Sequence, residues 1–110
     1  MNYTTAVTAF AVIASCVSLR AGADDSWERG YRLAGEKGCF ECHAIGHDYV
    51  GPSFRSVAER HRLNPETRSQ LADVIRAGSV GHWGERFEMW PQVHLREDQV
   101  QLLVDWVVSQ

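Results

Sequence analysis

Two thiols and an imidazole fall within five residues of this chain, in Cys39-Phe40-Glu41-Cys42-His43. The pattern is C-x-x-C-H, the attachment site of a c-type haem. Thiols at this spacing stand about one helical turn apart, so both can add to the two vinyl groups of one porphyrin while the adjacent imidazole reaches the iron from below. The haem is then held covalently and cannot leave. Two other chemistries use paired cysteines. A structural zinc site needs two further ligands at comparable spacing, and the chain has no second cysteine pair. A dithiol redox site opens a helix after a strand inside a βαβ unit, and no such alternation is present.

A haem iron with one histidine needs either an open second axial position or a second ligand, and the choice separates a catalyst or gas binder from an electron carrier. Met89 is the candidate, since it lies far from His43 in a long loop and the only other methionine is the initiator. His47, His61, His82 and His94 compete. His47 follows the motif too closely to cross the ring, and His61 is expected on a solvated helix face. His82 and His94 share the loop with Met89 and stay open. A soft thioether favours ferrous iron, and axial ligands as a class move the potential over roughly 0.8 V. Arg76 and Arg86 are the nearest cations to balance the haem propionates.

Four helices must position these groups. The first is expected from about Ser26 to Lys37, with Asp25 and Glu28 as a capping box and Gly38 as its stop. Ser53 caps a short second helix whose Phe54, Val57, Ala58 and His61 fall on one side. Asn64 and Pro65 open a third, with Leu71, Val74 and Ile75 on one face and Gly78 ending it. The last covers about Arg96 to Ser109, with Val100, Leu103, Val104, Trp106 and Val107 as a buried stripe and a poor N-cap. No strand is convincing. Gly78 to His94 reads as an aperiodic loop, long enough in so small a domain to be functional.

Residues 1–23 read as a cleaved signal peptide and 24–110 as the single mature domain. Ala6 to Leu19 is largely apolar, and Ala21-Gly22-Ala23 supplies a small-x-small cleavage site. The apolar stretch is too short for a permanent membrane span. Ile13-Ala14-Ser15-Cys16 also resembles a lipobox, so a lipid anchor at Cys16 is the competing outcome. The full chain has a formal charge of −3, and loss of the leader's Arg20 makes it more negative. Lys37 is the only lysine, which argues against nucleic-acid binding.

Taken together, C-F-E-C-H, then Val50-Gly51-Pro52, Gly78-Ser79-x-Gly81-x-Trp83, Met89 and a final Leu103-x-x-Trp106-Val107 resemble the class I monohaem cytochromes c. The match is to the short bacterial periplasmic type, the c-551/c-552 electron carriers. The resemblance implies an all-α class I cytochrome c fold, a small helical domain with crossing N- and C-terminal helices wrapped around one covalent haem c. It implies thioethers at Cys39 and Cys42, His43 as proximal and Met89 as distal iron ligand, the Pro52 carbonyl as acceptor for the other His43 ring N–H, and Trp83 donating to a propionate. It implies that Gly30 and Tyr31 meet Leu103 and Trp106. The chain departs from the family in Glu88-Met89-Trp90-Pro91, where Met-Pro-Pro is usual, and in one extra residue between Trp83 and Met89.

The function implied is one-electron carriage in the periplasm without catalysis, by a monomer that docks transiently at its haem edge with respiratory redox proteins such as a nitrite reductase or terminal oxidase. A haem subunit of a periplasmic dehydrogenase complex is the alternative. A gas-binding or peroxidatic protein fits less well, because four-helix cytochromes of that kind carry C-x-x-C-H near the C-terminus.

Overall fold

Helices form where capping residues and apolar stripes mark them. The computed structural model describes residues 21–110, so the predicted leader, including Cys16, lies outside the described residues apart from Ala21-Gly22-Ala23. The order is helix α1 (Ala21–Glu36), a 3-10 turn (Cys39–Glu41), α2 (Phe54–His61), α3 (Pro65–Ala77), strands β1 (Ser79–Gly81) and β2 (Gly84–Met89), and α4 (Glu97–Val108). Ser53 Oγ accepts from Ser56 N at 3.0 Å and caps α2, and Asn64 Oδ1 accepts from Glu66 N at 2.9 Å ahead of Pro65. At α4 the Gln99 side chain reaches back to accept from Arg96 N at 3.0 Å, which supplies half of a capping box where Arg96 itself offers nothing.

Helix α4 is the hub, packed against α1, α2 and α3. Its stripe of Val100, Leu103, Val104, Trp106 and Val107 is buried with Leu33 of α1, Phe54 and Val57 of α2, and Leu71 and Ile75 of α3. The terminal helices cross at Gly30. A Cβ there would lie 2.4 Å from Trp106 Cβ, so only glycine lets the backbones approach this closely. Tyr31 then meets Trp106 edge-on, ring centroids 6.2 Å apart. Arg62 closes the far end, donating to the carbonyls of Val108 at 3.1 Å and Gln110 at 2.7 Å, where α4 leaves acceptors without helical partners.

Several expectations are corrected. Helix α1 is already formed at Ala21, so Asp25 lies within it rather than capping it. His61 is not solvated: it is buried on the α2 stripe, with Nδ1 2.7 Å from the Thr67 carbonyl, and burial lowers its pKa below the ordinary 6.5. Residues 78–94 are not an aperiodic loop, because β1 and β2 form an antiparallel hairpin there, with Ser79 opposite Met89 and Val80 opposite Glu88. The next pair is Gly81 with Gly84, so Glu85, Arg86 and Phe87 fall between the paired positions of β2. The register thus breaks between Val80 and Gly81, as at a bulge. No helix among the described residues is long and apolar enough to cross a membrane.

Candidate haem site

The motif folds as a tight turn. Gly38, at φ 75°, ends the first helical run, after which Cys42 N and His43 N both donate to Cys39 O, at 3.2 and 2.9 Å. The downstream loop is sewn to this turn by Gly51 N to Cys42 O at 2.7 Å and Phe54 N to Ala44 O at 2.9 Å. These bonds bring Pro52 under the imidazole, and His43 Nδ1 lies 2.7 Å from the Pro52 carbonyl oxygen. A carbonyl can only accept, so Nδ1 carries the proton and Nε2 keeps its lone pair free for a metal. Phe54 stacks on the same ring at 5.1 Å between centroids and 29° between planes. Gly51 lies against its edge, where a Cβ would fall 2.7 Å from Cε1.

Cys39 lacks the lowered pKa of a redox nucleophile. Burial pushes Cys39 up to about 11, against the pull of its own backbone hydrogen bond, with a small further push from Cys42. Dithiol oxidoreductases need the opposite, a lowered pKa that yields thiolate near neutral pH. Among the described residues no three His, Cys, Asp or Glu side chains converge as a metal cluster.

Met89 ends strand β2. Gly78, the C-cap of α3 at φ 75°, lies so close to it that a Cβ there would be 2.3 Å from the Met89 carbonyl oxygen and 2.9 Å from Pro91 N. At the other end of the hairpin Gly81 and Gly84, at φ 78° and 88°, turn the chain around His82 and Trp83. Arg60 of α2 holds this tip. Its guanidinium carbon is 4.0 Å from the centroid of the Trp83 ring, and Nη1 donates to the His82 carbonyl at 2.8 Å.

Both sets of residues line one cavity of about 650 Å³, with Cys39, Cys42, His43, Pro52, Trp83 and Met89 all on its wall and Val57, Leu71, Ile75, Leu103 and Val107 behind them. That size suits a cofactor. None of His47, His61, His82 or His94 reaches the wall. Arg76, expected near the propionates, is engaged elsewhere, with Glu97 at 2.5 Å and Asp73 at 3.0 Å, beside a smaller polar groove of about 250 Å³ between α3 and α4. The side chain of Arg86 lies outside the described residues.

The family model for cytochrome c matches residues 27–110. The chain belongs to the cytochrome c family. It is 39% identical to cytochrome c-551 of Pseudomonas aeruginosa over 67% of this chain and 69% of that one. With cytochrome c-551 of Allochromatium vinosum the identity is 33%, over 70% and 81%. Among solved structures, the crystal structure of wild-type Nitrosomonas europaea cytochrome c552 superposes with a TM-score of 0.67 at 29% identity, covering 72% of this chain and 96% of that one. The chain is thus a class I monohaem cytochrome c with the helical fold of that class, a small electron-carrier cytochrome whose haem c is attached through Cys39 and Cys42.

The residues present fit that group. Two thiols share a wall with an imidazole whose Nε2 is free, a thioether stands on the same cavity, and the lining between them is apolar. Trp106, on that wall, keeps a buried indole N–H without a protein partner. Arg60 is a positioning residue with no signal in the sequence, whereas Gly51 and Gly78 belong to the motifs and the helix stop read there without showing what they touch.

Proposed function

We propose that this cytochrome c is a periplasmic one-electron carrier whose iron is held between His43 Nε2 and the Met89 thioether. The observation that carries the reading is the place of Met89 on the cavity wall that also holds Cys39, Cys42 and His43. When bound, haem supplies a one-electron ferric/ferrous couple. The protein's part is to hold that couple still. The Pro52 carbonyl fixes the imidazole and raises its basicity, and the apolar wall keeps water from the iron. Trp83 donates its indole N–H to a propionate, and Glu88, exposed on the cavity rim, tempers the ferrous preference of the thioether. No substrate is turned over.

Residues 1–23 direct export and are removed, so the mature holoprotein starts at Asp24. Intact mass settles this against lipidation at Cys16. Partners are respiratory redox proteins such as a nitrite reductase or terminal oxidase, which dock briefly at the haem edge. Trp90 and Val93, 75% and 73% exposed beside Met89, favour a second reading in which the domain is a bound relay of a dehydrogenase complex. Native mass of purified material separates free monomer from stable complex.

The test of the iron site is the absorption spectrum of the holoprotein, ferric and ferrous, with and without carbon monoxide. We expect a low-spin spectrum indifferent to carbon monoxide, and ready binding after Met89→Ala. Carbon monoxide binding by the native ferrous protein overturns the carrier assignment.

A further inference from the structure

Four arginines of the chain are tied to carboxylates or to terminal carbonyls. Arg68 pairs with Asp105 at 2.6 Å, Arg76 with Glu97 and Asp73, Arg96 with Asp98 at 3.0 Å, and Arg62 holds the C-terminal carbonyls. Arg60 differs. Among the described residues it forms no ion pair, and its guanidinium carbon stands over the Trp83 ring, 4.0 Å from the centroid of a ring that lines the haem cavity. A planar guanidinium can cover an aromatic face while an N–H in its own plane still reaches a carbonyl, and Arg60 does both at once by donating to His82 O at 2.8 Å.

The same helix serves both walls of the cavity. Phe54, its first residue, stacks on His43, and Arg60, one residue from its end, stacks on Trp83. Helix α2 therefore fixes the indole relative to the imidazole, and it places a cation with no carboxylate partner directly behind a cavity-lining ring. A positive charge so placed disfavours the more positive ferric state and attracts the anionic edge of the haem.

We propose that Arg60 is a positioning residue that sets the reduction potential, holding Trp83 against the cavity and lending that wall a charge that favours ferrous iron. The inference rests on the reading of Trp83 as a propionate donor in a His43/Met89 carrier, and it extends that reading to a residue on another element.

The experiment is a redox titration of the holoprotein and of Arg60→Met, Arg60→Gln and Arg60→Lys at low and high salt. Met keeps most of the packing without the charge, and Lys keeps the charge without the planar fork. Poised at the wild-type midpoint, the Met and Gln variants are expected to favour the ferric form roughly fivefold, the size of one partly solvated charge. The gap should shrink with added salt, and Lys should recover most of it. In the Trp83→Leu background the Arg60→Met shift should be smaller, because the cation is no longer held in place.

A potential unchanged in Arg60→Met overturns the proposal. So does an Arg60→Lys shift as large as that of Met, or an undiminished shift in the Trp83→Leu background. Carbon monoxide binding is recorded on the same samples. If native protein binds it, the carrier reading has failed; if all remain low-spin and indifferent while the potentials do not move, only the Arg60 inference has.

Discussion

On one side of the cavity, His43 is held by bonds between near neighbours in sequence: Gly51 to Cys42, Phe54 to Ala44, and its own Nδ1 to Pro52. On the other, Met89 ends a short bulged hairpin that leans on Gly78 and on Arg60, each from a different helix. The first side is assembled within a short stretch of chain and can form early and locally. The second needs α2, α3 and the hairpin to be in place together. Covalent attachment is thus entrusted to local structure, whereas Met89, the proposed second ligand, depends on tertiary contacts.

Removing both thiols should have the largest effect. In a Cys39→Ala/Cys42→Ala protein we expect all haem to be extracted by acidified organic solvent, and none from the parent, as read by mass. The glycines then compare the two sides directly. Gly78→Ala puts a Cβ at φ 75° against the Met89 carbonyl. It should cost about 3 kcal/mol or more by denaturant titration and make the ferrous iron bind carbon monoxide. Gly51→Ala presses on the His43 ring instead, and should cost about 1–3 kcal/mol while leaving the protein indifferent to carbon monoxide. If the two variants bind carbon monoxide equally, the contrast drawn between the sides is wrong.

Gly30→Ala forces Trp106 away from the helix crossing and should destabilise by about 1–3 kcal/mol, part of it offset by the better helix propensity of alanine, with the spectrum unchanged. The smallest effect is on pH. Burial lowers the folded-state pKa of His61, so the unfolded chain takes up the proton first as pH drops through about 6.5. Stability contributed by neutral His61 is present above that pH and is lost below it. The advantage of wild type over His61→Asn in urea titrations should therefore narrow below pH 6.5, with no change at either iron ligand.

What the sequence made legible was local. The C-x-x-C-H turn and the stripe of α4 each follow from spacing within one segment, whereas the Pro52 acceptor comes only with the family resemblance. The hairpin was hidden because β1 has three residues and β2 carries a bulge, so neither sustains the alternation that marks a strand. His61 was misplaced although it shares the stripe of Phe54, Val57 and Ala58, because a histidine reads as polar until a buried carbonyl such as that of Thr67 is known to receive it. Arg76 was assigned to the haem because Glu97, its actual partner, lies on another helix. Arg60 carried no signal, since Trp83 comes to it only through the fold.

Gly78 does more than give Met89 room. Its amide donates to Val74 O at 2.8 Å and closes α3, while Gln92 N donates to Ile75 O at 3.1 Å just beyond the methionine. We therefore expect the last turn of α3 and the strand that carries Met89 to open as one cooperative unit. In native-state hydrogen exchange, the amides of Gly78 and Gln92 should open together, at one free energy below that of global unfolding. With Met89 as the proposed ligand, reduction should strengthen the iron–sulfur bond and protect both amides by the same factor.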